Sequence, residues 1–450
     1  MKSGPSNNAP SSSNDGARNV KWLDGLRGIA SFLVLLTHLA RAFDYNLFNA
    51  RDAENGPVRL LQQPILRIPW QGRIGVTIFA FLTGYVCALK PLKLSRAGHH
   101  QAAFSSIAKS AFRRPPRLMF PATIAMVIAW VVAQLGAFTV GTRCDSGWLR
   151  FSSVGVDPSL FHESKRLFWV FLSTWTNGHM DYDDHQWALL PLLLGAMMVY
   201  ITLFATMYMQ YRYRMIVYAT LYLYFWQNPS PDTETFGQQF FFGMFLCDLS
   251  YHQTAQALIA DYRWPRRIIC SILAATGLFV ASYPAHNAEW CGWSNFLLEA
   301  SKHIFPADVN LGKRYTALGV NLLILAIYLS PSAKSFLSKR LLLWFGHCSF
   351  AVYLTHGTLL RTVLVWMIYG VSGQPWEEWT NDNGEIEHSP YLPRGSTLTF
   401  AISLPMWFVL VYIVAHYWTV YVDSFCARLT QRIENHVFEP TEKPVNGLPL

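Results

Sequence analysis

Apolar runs recur along almost the whole of this chain, near residues 28–44, 74–90, 118–140, 187–208, 214–227, 235–248, 267–284, 315–331, 343–370 and 397–421. A helix needs roughly 20 residues to cross a bilayer, with about 17 to 25 usual. The runs at 214–227 and 235–248 fall short, and dropping both leaves eight spans with the same parity. Only 14% of residues are charged and mean hydropathy is +0.19, whereas a soluble domain carries about 25% charged residues. Lipid is therefore the solvent of most of this chain. The sequence predicts an all-α integral membrane protein, a bundle of about ten transmembrane helices.

The net charge of +9 then describes loops rather than affinity for nucleic acid. Residues 90–117 carry Lys90, Lys93, Arg96, Lys109, Arg113, Arg114 and Arg117 with no acid among them. Further basic links hold Arg212 and Arg214, Arg263, Arg266 and Arg267, and Lys334, Lys339 and Arg340. Between them fall the acidic "NPSPDTETF" and "EEWTNDNGEIEH". Basic loops stay in the cytoplasm, and the alternation puts both termini there. Residues 164–175 are too short to cross and read as an interfacial segment. Residues 1–20 are polar and read as a disordered tail with no convincing cleavage site, so the first helix serves as its own signal anchor. The membrane domain is expected over 21–435, with a tail at 436–450, in the endoplasmic reticulum or another endomembrane.

None of the seven cysteines has metal-ligand spacing. Five lie in or beside apolar segments, as small buried hydrophobes do. Cys144 and Cys291 fall in loops on the outer side, where a disulfide between them could persist; sequence does not supply their separation.

Chemistry is suggested first in "LDGLRGIASFLVLLTHLARAF", residues 23–43. Arg27 and His38 are eleven residues apart, about three turns, so they share one helix face about 16 Å apart. Ionisable groups within a span are costly and mark function by default. An imidazole can take a proton from a hydroxyl near neutrality, and a guanidinium at the cytoplasmic mouth suits a phosphate. The plainer alternatives are a histidine hydrogen-bonded to a neighbouring helix and a topology anchor paired with Asp24. An acyl-coenzyme A, with phosphates at one end and a thioester at the other, has the length to join Arg27 to His38. "RRPPR", residues 113–117, adds Arg114 and Arg117 on the same side, its prolines suiting a helix start. Asp183, Asp184 and His185 precede the fourth helix on the outer side and read most simply as a solvated loop, a part in substrate handling in place of an acid missing from that helix being the alternative. The His179–Asp184 spacing and the His99–His100 pair lack partners and are set aside.

Taken together, these motifs resemble the acyltransferase-3 family of integral membrane acyltransferases. "LDGLRGIASFLVLLTH" is similar to its opening signature, an R-x10-H pattern met here by Arg27 and His38. "GVTIFAFLTGYV" (75–86) resembles its second helix, with Thr83 for the usual Ser. "RRPPRLMFP" resembles the arginine-rich entry to the third. "FGHCSFAVYLTHG" (345–357) places His356 on the late histidine of the family, while "FFFGMFLCDL" (240–249) and "VDSFCARLTQRIE" (422–434) fit its middle and closing segments. The fungal branch usually carries "LWTiPvEfrGSmvvy" in the fourth helix. Here "QWALLPLLLGAMMVY" puts Leu192 in place of Glu and Leu194 in place of Arg. Joint loss of a buried ion pair leaves no orphan charge.

The resemblance implies an O-acyltransferase that moves an acyl group, an acetyl above all, from acyl-coenzyme A to a hydroxyl of a small molecule, such as a fungal secondary metabolite. Arg27, Arg114 and Arg117 would hold the donor phosphates. His38 would deprotonate the acceptor or relay the acyl group, and His356 would assist. No metal or permanently bound cofactor is needed; the partners are the donor, the acceptor and the bilayer. A transporter, or a degenerate member that binds without turnover, remains the alternative that Leu192 favours.

Overall fold

The computed structural model describes residues 20–227, 233–370, 377–381 and 384–439. The tails at 1–19 and 440–450, and residues 228–232 of the first acidic loop, lie outside the described residues. Twelve helices frame the molecule: α1 (Lys21–Phe43), α2 (Arg73–Arg96), α3 (His100–Gln134), α4 (Leu160–Thr176), α5 (Leu189–Thr206), α6 (Tyr211–Gln227), α7 (Thr233–Ser250), α8 (Arg263–Ala281), α9 (Leu311–Leu329), α10 (Arg340–Leu359), α11 (Thr397–Trp418) and α12 (Ser424–Val437). The second acidic loop forms a small exposed hairpin, Glu378–Thr380 against Ile386–His388.

Among the described residues seven helices are long and apolar enough to cross a membrane, and eight if a bent pair counts as one span. By length and apolarity the described residues thus supply seven or eight of the ten expected spans. The two short runs do form helices, α6 and α7, yet α6 has only 17 residues and α7 only 18. The bent pair is α9 followed by Pro331–Leu337, turned by 100°. Ser330 explains the corner. Its side chain accepts from the Ala333 amide, capping the new helix, and Pro331 fills the first position without needing a donor.

The central contact is between α1 and α10, which run parallel. Asp24 in the first turn of α1 and Arg41 in its last suit the helix dipole. Leu26, Ala30, Val34 and Leu35 are buried. At Gly28 an added Cβ would meet the Gly346 amide nitrogen at 2.7 Å, and one on Gly346 would stand 2.0 Å from the Asp24 carbonyl oxygen. Small residues let helix backbones approach this closely where lipid offers no hydrophobic drive to associate.

Three structural details go beyond the sequence reading or differ from it. Pro115, Pro116 and Pro121 lie inside α3, which starts at His100, so the two prolines of "RRPPR" do not open a helix. Contacts with the end of α12, through the Arg113–Glu434 ion pair and the Phe112–Phe438 edge contact, hold the first half of α3 helical despite the missing amides. Cys144 and Cys291 are both free thiols. Cys144 bonds the Gly141 carbonyl and Cys291 the Ala50 carbonyl, on separate loops. Finally, α10 continues through a π turn, Leu360–Leu364, into Val365–Tyr369.

Candidate active site

Because α1 and α10 are parallel and meet near their starts, His38 and His356 arrive at the same level. Their ring centroids are 5.3 Å apart. A third imidazole completes the group. His185, just before α5, lies 3.7 Å from His38 and 5.0 Å from His356 between ring centroids. All three are buried, His38 keeping 8% exposure, His185 2% and His356 none. The Trp148 ring stacks on His38 at 5.9 Å.

His185 and Asp183 correct the expectation of a solvated loop. Asp184 is exposed, but Asp183 is fully buried. Gly357 makes room for them, since a Cβ there would stand 2.2 Å from His185 Nδ1 and 2.3 Å from Asp183 Oδ1. Arg361, also fully buried, bonds Asp183 and donates to the Gly357 and Ser152 carbonyls at 3.1 and 2.7 Å. The π turn brings Arg361 to this side. Five residues after His356, it would point about 140° away on a regular helix. Removing either partner of such a pair strands a buried charge, at about 3–5 kcal/mol.

The partners of two imidazoles assign their tautomers. His185 Nδ1 lies 2.7 Å from Asp183 Oδ1 and 3.1 Å from Arg361 Nη2. The carboxylate is the nearer of the two and, paired with Arg361, has no proton to give, so Nδ1 is assigned the hydrogen and its contact with the guanidinium is not a hydrogen bond. His356 Nδ1 faces the Val352 and Tyr353 carbonyls at 2.8 and 3.1 Å, which only accept. Both Nε2 atoms are therefore bare, and among the described residues neither has a hydrogen-bond partner, nor has His38 Nδ1. One ring nitrogen from each histidine lies within 4.8 Å of the others. That donor set can hold a metal ion. Three neutral imidazoles are a donor set that zinc sites use, and Asp183 behind His185 is the kind of carboxylate that orients a ligating histidine.

The expected arginines gather in a cavity of about 570 Å³ lined by Arg27, Arg114 and Arg117, and also by Arg113, which the sequence reading treated as an anchor. Arg27 pairs with Asp24 at 3.5 Å, and Arg114 donates to Thr83 Oγ1 at 3.3 Å. Leu192, Leu189, Ala188 and Tyr353 also line the cavity. Tyr353 is its inner wall against the histidines, its hydroxyl donating to the His185 carbonyl at 2.5 Å. Leu192 lines the cavity whereas Leu194 is 51% exposed on another face of α5. Residues two apart on a helix do not face each other, so a Glu and an Arg at these positions would not pair directly. A second cavity of about 390 Å³ lies beyond the histidines, between Trp148, Ser152, Ser153, Arg166 and Asp184.

A family model described as an acyltransferase domain matches residues 20–423. The chain belongs to the acyltransferase-3 family. It is similar to the O-acetyltransferase PaAT-1 of Phomopsis amygdali, 25% identical over 381 residues that cover 77% of this chain and 73% of that one. It is also similar to the acyltransferase R4 of a Phoma species, 22% identical over 410 residues, covering 78% and 86%. No solved structure matches. This acyltransferase-3 protein is a multi-pass membrane protein whose R-x10-H pair joins an arginine-lined cavity to a histidine cluster. Sequence reasoning missed Asp183, His185 and Arg361. The signal available was weak: a D-x-H in a polar loop and an arginine five residues beyond the family histidine.

Proposed function

We propose that the protein transfers an acyl group from acyl-coenzyme A to a hydroxyl of a small molecule. The observation that carries this reading is the convergence of four arginines on one cavity whose inner end abuts three buried imidazoles. The arginines seat the phosphates of the donor, the apolar throat past Leu189 and Leu192 takes its pantetheine arm, and the thioester reaches the histidines. His38 accepts the hydroxyl proton as the oxygen attacks the thioester carbonyl. The acyl–sulfur bond breaks as the acyl–oxygen bond forms, and the thiolate recovers the proton. The acceptor enters from the second cavity, next to Trp148, so donor and acceptor approach from opposite faces of an endomembrane, the donor from the cytoplasm. The names of the two fungal relatives support an acyl, in one case acetyl, transfer; a fungal metabolite as acceptor follows by analogy.

The test is acyl transfer in microsomes supplied with labelled acetyl-coenzyme A and an extract of host metabolites. Label entering a metabolite with the wild type, and not with His38→Ala at equal protein level, supports the enzyme. Coenzyme A binding without transfer from any of several donors overturns it and leaves a binding protein, the reading Leu192 favours.

A further inference from the structure

We infer that His185, oriented by Asp183 and Arg361, is a positioning residue for His38: it fixes the resting proton of His38 on Nδ1 and shares the charge His38 acquires. This rests on the acyl-transfer reading and deepens it.

The argument is one of donors and acceptors. His185 and His356 each spend their one hydrogen on a fixed acceptor, Asp183 for the first and the Val352 carbonyl for the second. Each therefore presents a bare Nε2 to the cluster. His38 Nδ1 is buried and without a partner among the described residues, and one ring nitrogen of each histidine lies within 4.8 Å of the others; Nδ1 is taken as the nitrogen that His38 turns to the group. Three bare nitrogens turned on one another would be mutually repulsive and unsatisfied. A hydrogen on His38 Nδ1 removes the conflict, and a neutral imidazole has only one to place. Nε2 of His38 is then bare, which is the state a base needs.

The two acceptors differ in what they do next. When His38 Nε2 takes the hydroxyl proton, His38 becomes an imidazolium whose Nδ1–H can pass to a neighbour. His356 is backed only by carbonyl oxygens. His185 is backed by a carboxylate, which stabilises an imidazolium, the arrangement familiar from hydrolase triads. So the proton count closes: the hydroxyl proton moves to His38 Nε2 while the Nδ1 proton shifts toward His185 Nε2; the Nε2 proton then passes to the thiolate and the Nδ1 proton returns to His38. The other charged groups near the cluster are Arg41, one turn beyond His38 on α1, and the exposed Asp184. Neither bonds a cluster nitrogen.

The test uses the full-length protein in nanodiscs. Nitrogen-15 NMR of histidine-labelled protein separates protonated from bare ring nitrogens, and subtraction of the His38→Ala spectrum isolates His38. The expected signature is a protonated Nδ1 and a bare Nε2. His185→Phe removes the acceptor: the signature gives way to a mixture, and kcat falls by about 10²-fold or more with the KM for acetyl-coenzyme A unchanged. His185→Gln accepts a hydrogen bond but cannot take a proton, so it restores the signature and still loses at least tenfold in kcat. A bare Nδ1 in the wild type, an unchanged signature in a slowed His185→Phe, or a His185→Gln enzyme with wild-type kcat each overturns the inference. Absence of any transfer by the wild type fails the enzyme reading instead, and the spectra still report the proton on His38.

Discussion

His38 and His356 each stand ten residues beyond the glycine at which their helices touch, Gly28 and Gly346, and their rings are 5.3 Å apart. Two parallel helices keep level whatever is counted off equally from a shared point. The glycine contact is thus part of the geometry of the histidine cluster, although it lies about 15 Å from the histidines at 1.5 Å per residue.

Gly346→Ala tests that coupling. Its Cβ cannot fit beside the Asp24 carbonyl, and overpacking of this kind costs about 1–3 kcal/mol. The expected outcome is a lower melting temperature in detergent together with a loss of at least tenfold in transfer rate, because small misplacements of catalytic groups are costly. Melting lowered with rate intact would show that the helices can slide without disturbing the cluster.

Arg114→Ala and Arg27→Ala separate donor binding from chemistry. A hydrogen bond to a charged group contributes about 1.5–3 kcal/mol, so each variant is expected to raise the donor KM by about 10- to 100-fold with a much smaller change in kcat. The gap from wild type should narrow as salt is added, since screening weakens the phosphate contact in both proteins. Steady-state kinetics at two ionic strengths decide it.

Leu192→Glu places an acid inside the four-arginine cavity. Without an arginine partner on its own face of α5, the carboxylate draws on Arg114 and its neighbours and competes with the donor phosphates. Weaker coenzyme A binding by calorimetry is expected, and adding Leu194→Arg is not expected to rescue it. Tighter binding in the single variant would mean that the acid serves the donor directly.

Glu163 on α4 provides a pH test outside the spans. Burial alone would push its carboxyl up, but the Asp157 amide at 3.0 Å, Arg166 and the Tyr182 hydroxyl outweigh this and hold it below the usual value. A carboxyl depressed in the folded state stabilises fully above its unfolded value, and the benefit is lost as pH falls through the lower folded one. Melting temperature should therefore drop on acidification below about pH 4.5 less steeply in Glu163→Gln than in wild type. Parallel curves for the two proteins would remove Glu163 from the account.

Much of this was readable beforehand, for a physical reason. Apolar runs long enough to span, an R-x10-H spacing and an arginine cluster are local patterns, and local patterns determine helix existence and helix face. Arg27, His38, Arg114 and Arg117 were accessible in that way. Asp183 and His185 were not. "DYDDHQW" has the composition of a wet loop, and only α10, through the missing side chain of Gly357, makes it an interior. Arg361 was hidden by periodicity itself: a 3.6-residue repeat points it away from His356. The helix through Pro115 and Pro116 was hidden as well, since its support comes from α12, more than three hundred residues on. The count of spans differs because α6, with 17 residues, stands at the short end of the usual span, and α7, with 18, carries Gln238, Gln239 and Asp248 and is not apolar enough.

The π turn at Leu360–Leu364 acts as a phase shifter. One surplus residue per turn rotates everything after it, so the same stroke that aims Arg361 at Asp183 also sets where Trp366 meets the Ala137 carbonyl and Tyr369 meets Asp145. Interior charge and loop anchoring are thereby written in a single register. A one-residue deletion there would straighten the helix and, by turning its far end through about 100°, unlock both at once.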